Sequence, residues 1–434
     1  MPELRADYRG AFDPALTLAG FSRQALCTLG REYLLIGHLQ DRVGLPLVMQ
    51  RFGEDAYLQF SIDEWMGASP IYSRRMQRAL RFEGDDVGTV FKNLQLDIGA
   101  PPQFMDFQFL LERPDYGEFW LPHCGALLDV EPFGEAKVRL MCHDIEDPTF
   151  DATAAATNPR MKMRPIHRPP RRPSDRVPHC RWSVYIDGQA EPYDQHENLA
   201  RIGATRLARL SAAPVSAEQA GLEPGGWSDY GGPFDPGFQL EDLSHAALLT
   251  VCREVPIQIH LLARAFMLCA GQRESDAVAL ELGRRQWIGA AAIGALRVRA
   301  ALGIEGDDIG AVAKVFQCHP HFQPRAYVDL RVAVTGEQKA RLSLHDCDAL
   351  REGDVYSWWA TLGAEAHPAL DAIAATVNPR ARCQPAPPQD GAALCWDVVI
   401  DPASEPQAEP AELKLGRISR GVTFALERRR PLRR

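Results

Sequence analysis

The chain has 434 residues, 46% of them hydrophobic, and a formal net charge of −9. This length exceeds one ordinary hydrophobic core, so two or three domains are expected, and the acidic balance gives no reason to expect a nucleic-acid partner. No stretch approaches the run of about 20 apolar residues that spans a bilayer, and the charged opening MPELRADYRG has no apolar signal core behind it. Ten cysteines at irregular spacings, with no CxxC pair, favour reduced thiols over disulfides. The sequence therefore predicts a soluble, cytoplasmic protein with no membrane partner.

The first predicted elements are helices. Apolar residues at three- and four-residue spacing predict helices over about residues 22 to 51 and 62 to 81. EGDD follows, and its Asp85 and Asp86 are expected to cap the next helix. After that, alternating apolar and polar side chains predict strands, and an Asn-Pro pair is expected to end a short Ala-rich helix. These later elements are a hairpin over residues 104–123, a helix over 151–160 and a strand over 179–187.

The second half of the chain repeats the first. Residues return 222 positions later (260 − 38) in a single register, with pairs that include His38 and His260, Trp65 and Trp287, and His123 and His345. The decapeptide DATAAATNPR of the first half also recurs as DAIAATVNPR. We predict an α+β fold, with two tandem copies of a helical-plus-antiparallel-sheet unit packed as a pseudo-dimer. The predicted organisation is a first unit over residues 1–210, a linker rich in Gly, Pro and Ala over 211–233, and a degenerate second unit with a basic C-terminal tail over 234–434.

Polar residues retained in both halves are candidates for binding. Arg31 and His38 lie two helical turns apart and share a face, with Glu32 beside Arg31. One interpretation is a buried ion pair with a histidine bonded to backbone, and the other is an anchor for a carboxylate ligand. The candidate substrate-binding residues are Arg31, Glu32, His38 and Trp65.

A second group of candidates lies near the end of the predicted hairpin. Histidine and cysteine side chains are plausible zinc or iron ligands, while a thiol beside an imidazole can act as a nucleophile. The spacing of the cysteines matches no compact metal motif, and a third interpretation is that they are small core hydrophobes. The candidate metal ligands are His123, Cys124, Cys142, His143 and Cys180, and His179 lies nearby.

The second half lacks most of this group. Leu362, Gly363 and Leu394 stand where the first half has Cys142, His143 and Cys180. These replacements can neither bind a metal nor move a proton. The sequence therefore predicts one site per chain, built on the first half.

The order of elements resembles a bacterial superfamily that contains the L-2-amino-thiazoline-4-carboxylate hydrolases and a related family of unknown function. The matching features are Trp65 in the second helix, the EGDD segment, His123 and Cys124 at a strand end, Cys142 and Asp144, Asn158 to Arg160, and Cys180 with Trp182. The resemblance implies hydrolytic opening of a small cyclic C=N substrate that bears a carboxylate, with a cysteine needed for activity.

We therefore expect a small-molecule hydrolase that acts on a C–N bond. Cys142 would be the nucleophile or a ligand, His123 the general base or a ligand, and Asp144 the orienting partner. No cofactor is certain, and zinc or iron is the metal expected if one binds. Two alternatives remain, a metal-dependent enzyme that uses the same cluster and a non-catalytic ligand-binding or sensor protein. The expected partner is a small-molecule substrate, with further homo-oligomerisation left open.

Overall fold

The computed structural model describes residues 4–211, 223–363 and 365–427. Most of the predicted linker and the basic C-terminal tail lie outside these ranges. The helices of the first half are α1 Arg23–Leu39, α2 Asp41–Phe52, α3 Glu54–Ala79, α4 Val87–Leu94, α5 Gly125–Val130, α6 Glu135–Arg139, α7 Glu146–Ala155, α8 Glu197–Gly203 and α9 Arg206–Arg209. Those of the second half are α10 His245–Arg273, α11 Asp276–Ala301, α12 Ile309–Cys318, α13 Pro368–Val377 and α14 Ala411–Gly416. A π-helical turn, Leu140–Ile145, joins α6 to α7. Short 3-10 helices lie at Leu18–Gly20, Glu131–Phe133, Leu240–Asp242, Pro320–Phe322, Asp348–Arg351, Trp358–Thr361 and Arg420–Thr423.

Each half contains one four-stranded antiparallel sheet. The strand order is β1-β2-β4-β3 in the first half and β5-β6-β8-β7 in the second. The strands are β1 Gln108–Arg113, β2 Tyr116–Leu121, β3 Met161–His167, β4 Cys180–Ile186, β5 Leu330–Gly336, β6 Lys339–His345, β7 Ala381–Ala386 and β8 Ala392–Ile400. The predicted α+β class with two similar units is confirmed.

Two strands were not predicted from the sequence. β3 contains Pro165 and β7 contains Pro385, and proline argues against a strand because it cannot donate to the hydrogen-bond ladder. Both strands lie at the edge of their sheet, where one side of the ladder needs no partner. Helix α3 also begins at Glu54, earlier than predicted. The prediction missed its first turns because they are polar and lack an apolar period.

The repeated EGDD segment caps a helix in each half, as predicted. Asp86 Oδ1 accepts a hydrogen bond from the Thr89 backbone N–H at 2.8 Å. Asp308 Oδ1 accepts from the Ala311 N–H at 2.7 Å. Both aspartates precede a helix whose first N–H groups lack intrahelical partners, which is the geometry of an N-cap.

The repeated decapeptide binds the capping loop in both halves. Asn158 Nδ2 donates to the Asp85 carbonyl at 3.0 Å, and Asn378 Nδ2 donates to the Asp307 carbonyl at 2.9 Å. The aspartates that open the two decapeptides each accept from an edge-strand N–H, Asp151 from Met163 and Asp371 from Cys383. The decapeptide is therefore retained for structural reasons, because it joins a helix end, a loop and an edge strand.

The two halves hold each other through reciprocal buried ion pairs. Arg297 Nε lies 2.6 Å from Glu32 Oε2, and Arg75 Nη2 lies 2.9 Å from Glu254 Oε1. Each pair is the repeat-related counterpart of the other, and all four residues are buried. The helices of both halves therefore share one hydrophobic core, in which α10 packs against α1 and α3.

Each half also receives an N-terminal arm from the other. Tyr8 donates its hydroxyl hydrogen to Gln317 Oε1 at 2.6 Å, and Tyr230 donates to Gln95 Oε1 at 2.8 Å. Lys92 Nζ donates to the Tyr230 carbonyl at 2.9 Å. The glutamines and the lysine, which the repeat retains, thus have a structural use at the interface.

Helix α10 is the central helix of the second half. Among the described residues it is the one helix long and apolar enough to cross a membrane by length and composition, and 83% of its most apolar window is buried in the protein. The sequence analysis found no such stretch because Arg253, Glu254 and Arg264 interrupt the apolar run.

Candidate functional site

The first half contains a cavity between α1, α2, α3 and α7. Its volume is about 140 Å³, and it adjoins a second cavity of about 280 Å³ that reaches α14. The two cavities share six wall residues, Asp41, Arg42, Leu45, Tyr57, Val130 and Met141. We call the two together the first-half cavity. Met141 comes from the π-helical turn, a feature that often marks functional sites.

A pair of buried carboxyl groups lies beside this cavity, and one of them, Asp41, lines it. Asp41, the first residue of α2, is 4% exposed, and Glu64, in the middle of α3, is 0% exposed. Trp65 Nε1 donates to Asp41 Oδ2 at 2.8 Å. Among the described residues, no N–H or hydroxyl group donates to Asp41 Oδ1 or to either Glu64 oxygen. The two carboxyls lie within hydrogen-bonding reach of each other, so a proton can be shared between them.

Both members of this pair hold their protons more tightly than usual. Burial raises the pKa of Asp41 to about 6, although Arg42 and the Trp65 hydrogen bond oppose the rise. Burial, followed by repulsion from Asp41, raises the pKa of Glu64 well above its ordinary value. Near neutral pH the pair can therefore carry one proton, with an ionised and a protonated carboxyl side by side.

Two further carboxyls line the same cavity. Asp97 Oδ1 accepts from the Tyr72 hydroxyl at 3.0 Å and from the Gly99 N–H at 2.7 Å, yet burial raises its pKa to about 6. Glu146 keeps part of its surface accessible at the cavity wall, and burial raises its pKa to about 8 against the lowering effect of Arg168.

Arg42 lies at the wall shared by the two cavities. Its Nε lies 3.3 Å from Asp129 Oδ2, and its Nη2 lies 3.0 Å from His38 Nε2. Because arginine only donates, His38 Nε2 accepts, and burial and the Arg42 charge lower the pKa of His38 well below its ordinary value. Asp129 also accepts from Ser419 Oγ at 2.6 Å, so the C-terminal segment of the second half supports this wall.

The equivalent region of the second half is filled by side chains. Trp358 stacks on Trp287, with ring centroids 6.0 Å apart and 3° between the ring planes. Its Nε1 donates to Gln286 Oε1 at 3.1 Å. By repeat register Gln286 and Trp287 are the counterparts of Glu64 and Trp65. In the second half a neutral amide therefore stands in place of the Glu64 carboxyl, and aromatic side chains fill the region of the cavity.

The three predicted catalytic residues do not form a site together. Cys142 and Asp144 both lie in the π-helical turn, where Cys142 is buried in the protein and Asp144 is exposed. His123 is partly buried, and its ring lies 6.1 Å from that of His179, centroid to centroid. Within the part of the chain that the structure describes, no hydrogen bond joins the side chains of His123, Cys142 and Asp144 to one another. The predicted nucleophile, base and orienting residue are thus not joined by hydrogen bonds within the described residues.

The predicted thiol cluster is a packed interior. Cys124, Cys142 and Cys180 line a space of only about 10 Å³, roughly the volume that one water occupies. Burial raises the pKa of Cys124 to about 12 and the pKa of the other two thiols well above the ordinary value. These thiols stay protonated at neutral pH, so they are poor nucleophiles. All ten cysteines are free and buried.

No metal centre is assembled from the predicted ligands. Among the described residues, no three His, Cys, Asp or Glu side chains are placed to hold a metal ion together. His143 Nε2 instead lies 2.6 Å from the Pro169 carbonyl oxygen, and His179 Nδ1 accepts from the Cys124 N–H at 3.2 Å. The donor set fits local packing and backbone hydrogen bonding instead of zinc or iron coordination.

The predicted substrate-binding residues divide into two groups. Arg31 lies 2.7 Å from Glu241 at the interface between the halves, and Glu32 pairs with Arg297 there. His38 and Trp65 line the first-half cavity. Arg31 and Glu32 thus form buried ion pairs, as the first interpretation proposed. His38 and Trp65 line a cavity, which is the position that the second interpretation, ligand binding, requires.

Sequence reasoning missed the carboxyl groups of the cavity. Asp41, Glu64 and Asp97 correspond by register to Ala263, Gln286 and His319, so they differ between the halves. The search for retained polar residues passed over them for that reason. A search for acidic residues present in one half and neutral in the other would have found all three.

Comparisons with known proteins gave no match. No protein-family model matches the chain, and no curated protein or solved structure matches it. The resemblance to the amino-thiazoline-carboxylate hydrolases therefore stays a prediction.

Proposed function

We propose that this protein is a small-molecule hydrolase that acts on a C–N bond, and that its reaction takes place in the first-half cavity. The observation that supports the proposal most is the buried Asp41–Glu64 carboxyl pair, of which Asp41 lines the cavity and whose members are replaced by Ala263 and Gln286 in the second half. Titratable groups with strongly shifted pKa values in a cavity are typical of catalytic sites. The C–N bond comes from the resemblance of the element order.

The carboxyl pair suits hydrolysis because its members can take opposite roles. The ionised carboxyl takes a proton from water while the water oxygen forms a bond to the substrate carbon. The protonated carboxyl gives its proton to the nitrogen as the C–N bond breaks. Water thus supplies the oxygen, each carboxyl exchanges one proton, and the pair ends with the same total number of protons. The hydrogen bond from Trp65 fixes the orientation of Asp41 throughout.

The proposed reaction takes place at the carboxyl groups and not at the thiol of Cys142. A thiol nucleophile must ionise, and burial opposes ionisation of Cys142. The space beside Cys142 holds about 10 Å³, whereas the two cavities beside Asp41 hold about 140 and 280 Å³. A small cyclic molecule therefore fits beside the carboxyls and not beside the thiols.

The test is a substrate panel assayed in ¹⁸O-labelled water. Small cyclic imines, amidines and lactams are incubated with the protein, and mass spectrometry detects products that have gained one labelled oxygen. We expect Glu64→Gln to lower kcat by about 10²-fold or more, the usual contribution of a general acid or base. The matched control is Asp63→Asn, a neighbouring carboxyl on α3 that is paired with His196 at 3.2 Å.

Two results would separate the alternatives. Loss of turnover in Cys142→Ser with full turnover in Glu64→Gln would return the chemistry to the thiol and contradict the proposal. Ligand binding without turnover of any panel member would favour the non-catalytic binding protein.

A further inference from the structure

We propose that the molecule bound in the first-half cavity carries a positively charged nitrogen, such as a protonated amine, and that its binding releases protons from the cavity carboxyls. The inference rests on the proposed function only for the location of the site. The inference adds the charge of the ligand, because the hydrolytic step alone does not determine whether the substrate is charged.

The charge balance of the cavity wall favours a cation. Asp41, Glu64, Asp97 and Glu146 contribute four carboxyl groups at or beside the wall. The cations of the wall are Arg42 and Lys137, and both are already paired, Arg42 with Asp129 at 3.3 Å and Lys137 with Glu54. When the carboxyls ionise, the wall therefore has an excess of negative charge that an ammonium group would offset.

The groups that act on these carboxyls are otherwise neutral or already paired. Burial keeps the pKa of His38 low and the pKa of the nearby thiols and tyrosines high, so these side chains carry no charge at neutral pH. Arg168 faces Glu146 and pairs with Asp147 at the surface. The titratable and charged groups concerned are Arg42, Tyr57 and Tyr72 around Asp41; Cys269 around Glu64; Tyr72 around Asp97; and Arg168, Asp147, Cys124, Cys142 and Cys180 around Glu146.

Unfilled hydrogen-bond acceptors point to the same ligand. Within the described residues, Asp41 Oδ1 receives no N–H or hydroxyl donor and has at most the proton shared with Glu64, although Asp41 is 4% exposed and lines both cavities. An ammonium group brings up to three N–H donors to such an acceptor, whereas a carboxylate ligand brings none and is repelled. The acceptor therefore complements a protonated amine.

Aromatic side chains complete the surroundings of the cation. Trp65, Tyr57, Phe107 and Phe150 line the cavity and are partly exposed. An ammonium group over the face of such a ring gains about 0.5 to 2 kcal/mol, and most over tryptophan. Carboxyl groups combined with aromatic rings distinguish this wall from an anion site, where arginine and backbone N–H groups prevail.

The carboxyls must ionise before they can hold a cation. Asp41 and Asp97 have pKa values raised to about 6, and that of Glu146 is raised to about 8, all chiefly by burial. Affinity for a cation therefore rises between about pH 6 and pH 8, and binding at pH 7 releases protons to the buffer. A neutral ligand of the same shape would show neither effect.

Isothermal titration calorimetry of the full chain tests the inference. The probes are methylammonium, cyclohexylammonium and benzylammonium, with cyclohexanol, benzyl alcohol and benzoate as neutral and anionic counterparts. We expect at least one ammonium probe to bind about 10-fold tighter at pH 8 than at pH 5.5, and tighter than its neutral counterpart. Titrations in two buffers of different ionisation enthalpy should show proton release. Glu64→Gln should weaken ammonium binding, whereas the control Asp63→Asn should not.

Three results would overturn the inference: no binding of any ammonium probe, equal binding of benzoate and benzylammonium, or an affinity independent of pH. Its failure differs from failure of the proposed function. Hydrolysis that depends on Glu64 without ammonium binding would leave the function intact and remove the cation. Ammonium binding without hydrolysis would support the cation site and contradict the proposed function.

Discussion

The two halves of this chain share a fold but differ in how they fill the same interior region. In the first half Trp65 borders a cavity and donates to an aspartate. In the second half its counterpart Trp287 is 0% exposed and stacks on Trp358. The two reciprocal ion pairs of the interface are retained, whereas the carboxyl groups Asp41, Glu64 and Asp97 have been replaced in the second half. The difference coincides with the first-half cavity, where the proposed reaction would take place.

The largest expected effect tests what the halves have in common. Arg75→Ala and Arg297→Ala each leave a buried glutamate without its partner, so each should lower the free energy of unfolding by about 3 to 5 kcal/mol. Denaturant unfolding measures both losses. Arg113→Ala, at an exposed pair with Asp115, is the control and should change stability by less than about 1 kcal/mol. Strongly unequal losses at the two buried pairs would contradict the reciprocal interface.

The next prediction concerns the dependence of stability on pH. At equivalent positions the first half has an acid, Asp97, and the second half has a base, His319. Burial raises the pKa of Asp97 to about 6, so its contribution to stability is full below about pH 4 and is lost as pH rises through 6. Burial lowers the pKa of its counterpart His319 to about 4, so that contribution is full above about pH 6.5 and is lost as pH falls through 4.

Unfolding free energies measured from pH 4 to pH 8 should separate these two groups. Asp97→Asn should reduce the loss of stability on the alkaline side by about 2 to 3 kcal/mol, since one pKa unit corresponds to about 1.4 kcal/mol. His319→Gln should instead reduce the loss on the acid side. An unchanged pH profile in either variant would show that the group does not titrate as its burial requires.

A third prediction compares the two tryptophan environments. Trp358→Ala removes a ring that is 1% exposed and leaves a new void, so it should cost about 3 to 5 kcal/mol of unfolding free energy. Trp65→Ala enlarges a cavity that already exists, so its cost should be smaller by about 2 kcal/mol. Thermal and denaturant unfolding give both values. Equal costs would mean that the two regions are equally packed.

The smallest effect concerns the repeated decapeptide. Asn158→Ala and Asn378→Ala each remove one hydrogen bond to the capping loop, so each should cost about 1 kcal/mol. Activity or ligand binding should not change in either variant. A selective loss of ligand binding in Asn158→Ala would assign the decapeptide a role beyond the fold.

The sequence predicted the repeated architecture better than the candidate site. The caps at Asp86 and Asp308 and the hairpins depend on local patterns, and the 222-position register depends on direct comparison of the two halves; the structure contains all of them. The strand with Pro165 was missed because only its edge position, which is a tertiary feature, makes proline acceptable. Local sequence could not show that Cys142 is buried and Asp144 is exposed within one π-helical turn.

The carboxyl pair was missed for a related reason. Asp41 and Glu64 are far apart in sequence and lie on different helices, so only the packing of α2 against α3 brings them together. Burial, which raises their pKa values, is also a property of that packing. Residue type alone favoured the cysteines, whose thiols the same kind of burial keeps protonated.

The exchanged arms have a consequence for the integrity of the polypeptide. Tyr8 completes the second half and Tyr230 completes the first, with their backbone N–H groups bound to Leu302 and Leu80 respectively. A cut between Ser211 and Glu223 would leave each fragment holding the arm that its companion lacks. The two fragments would then regain their full set of contacts only by associating, as complementary parts of a split protein.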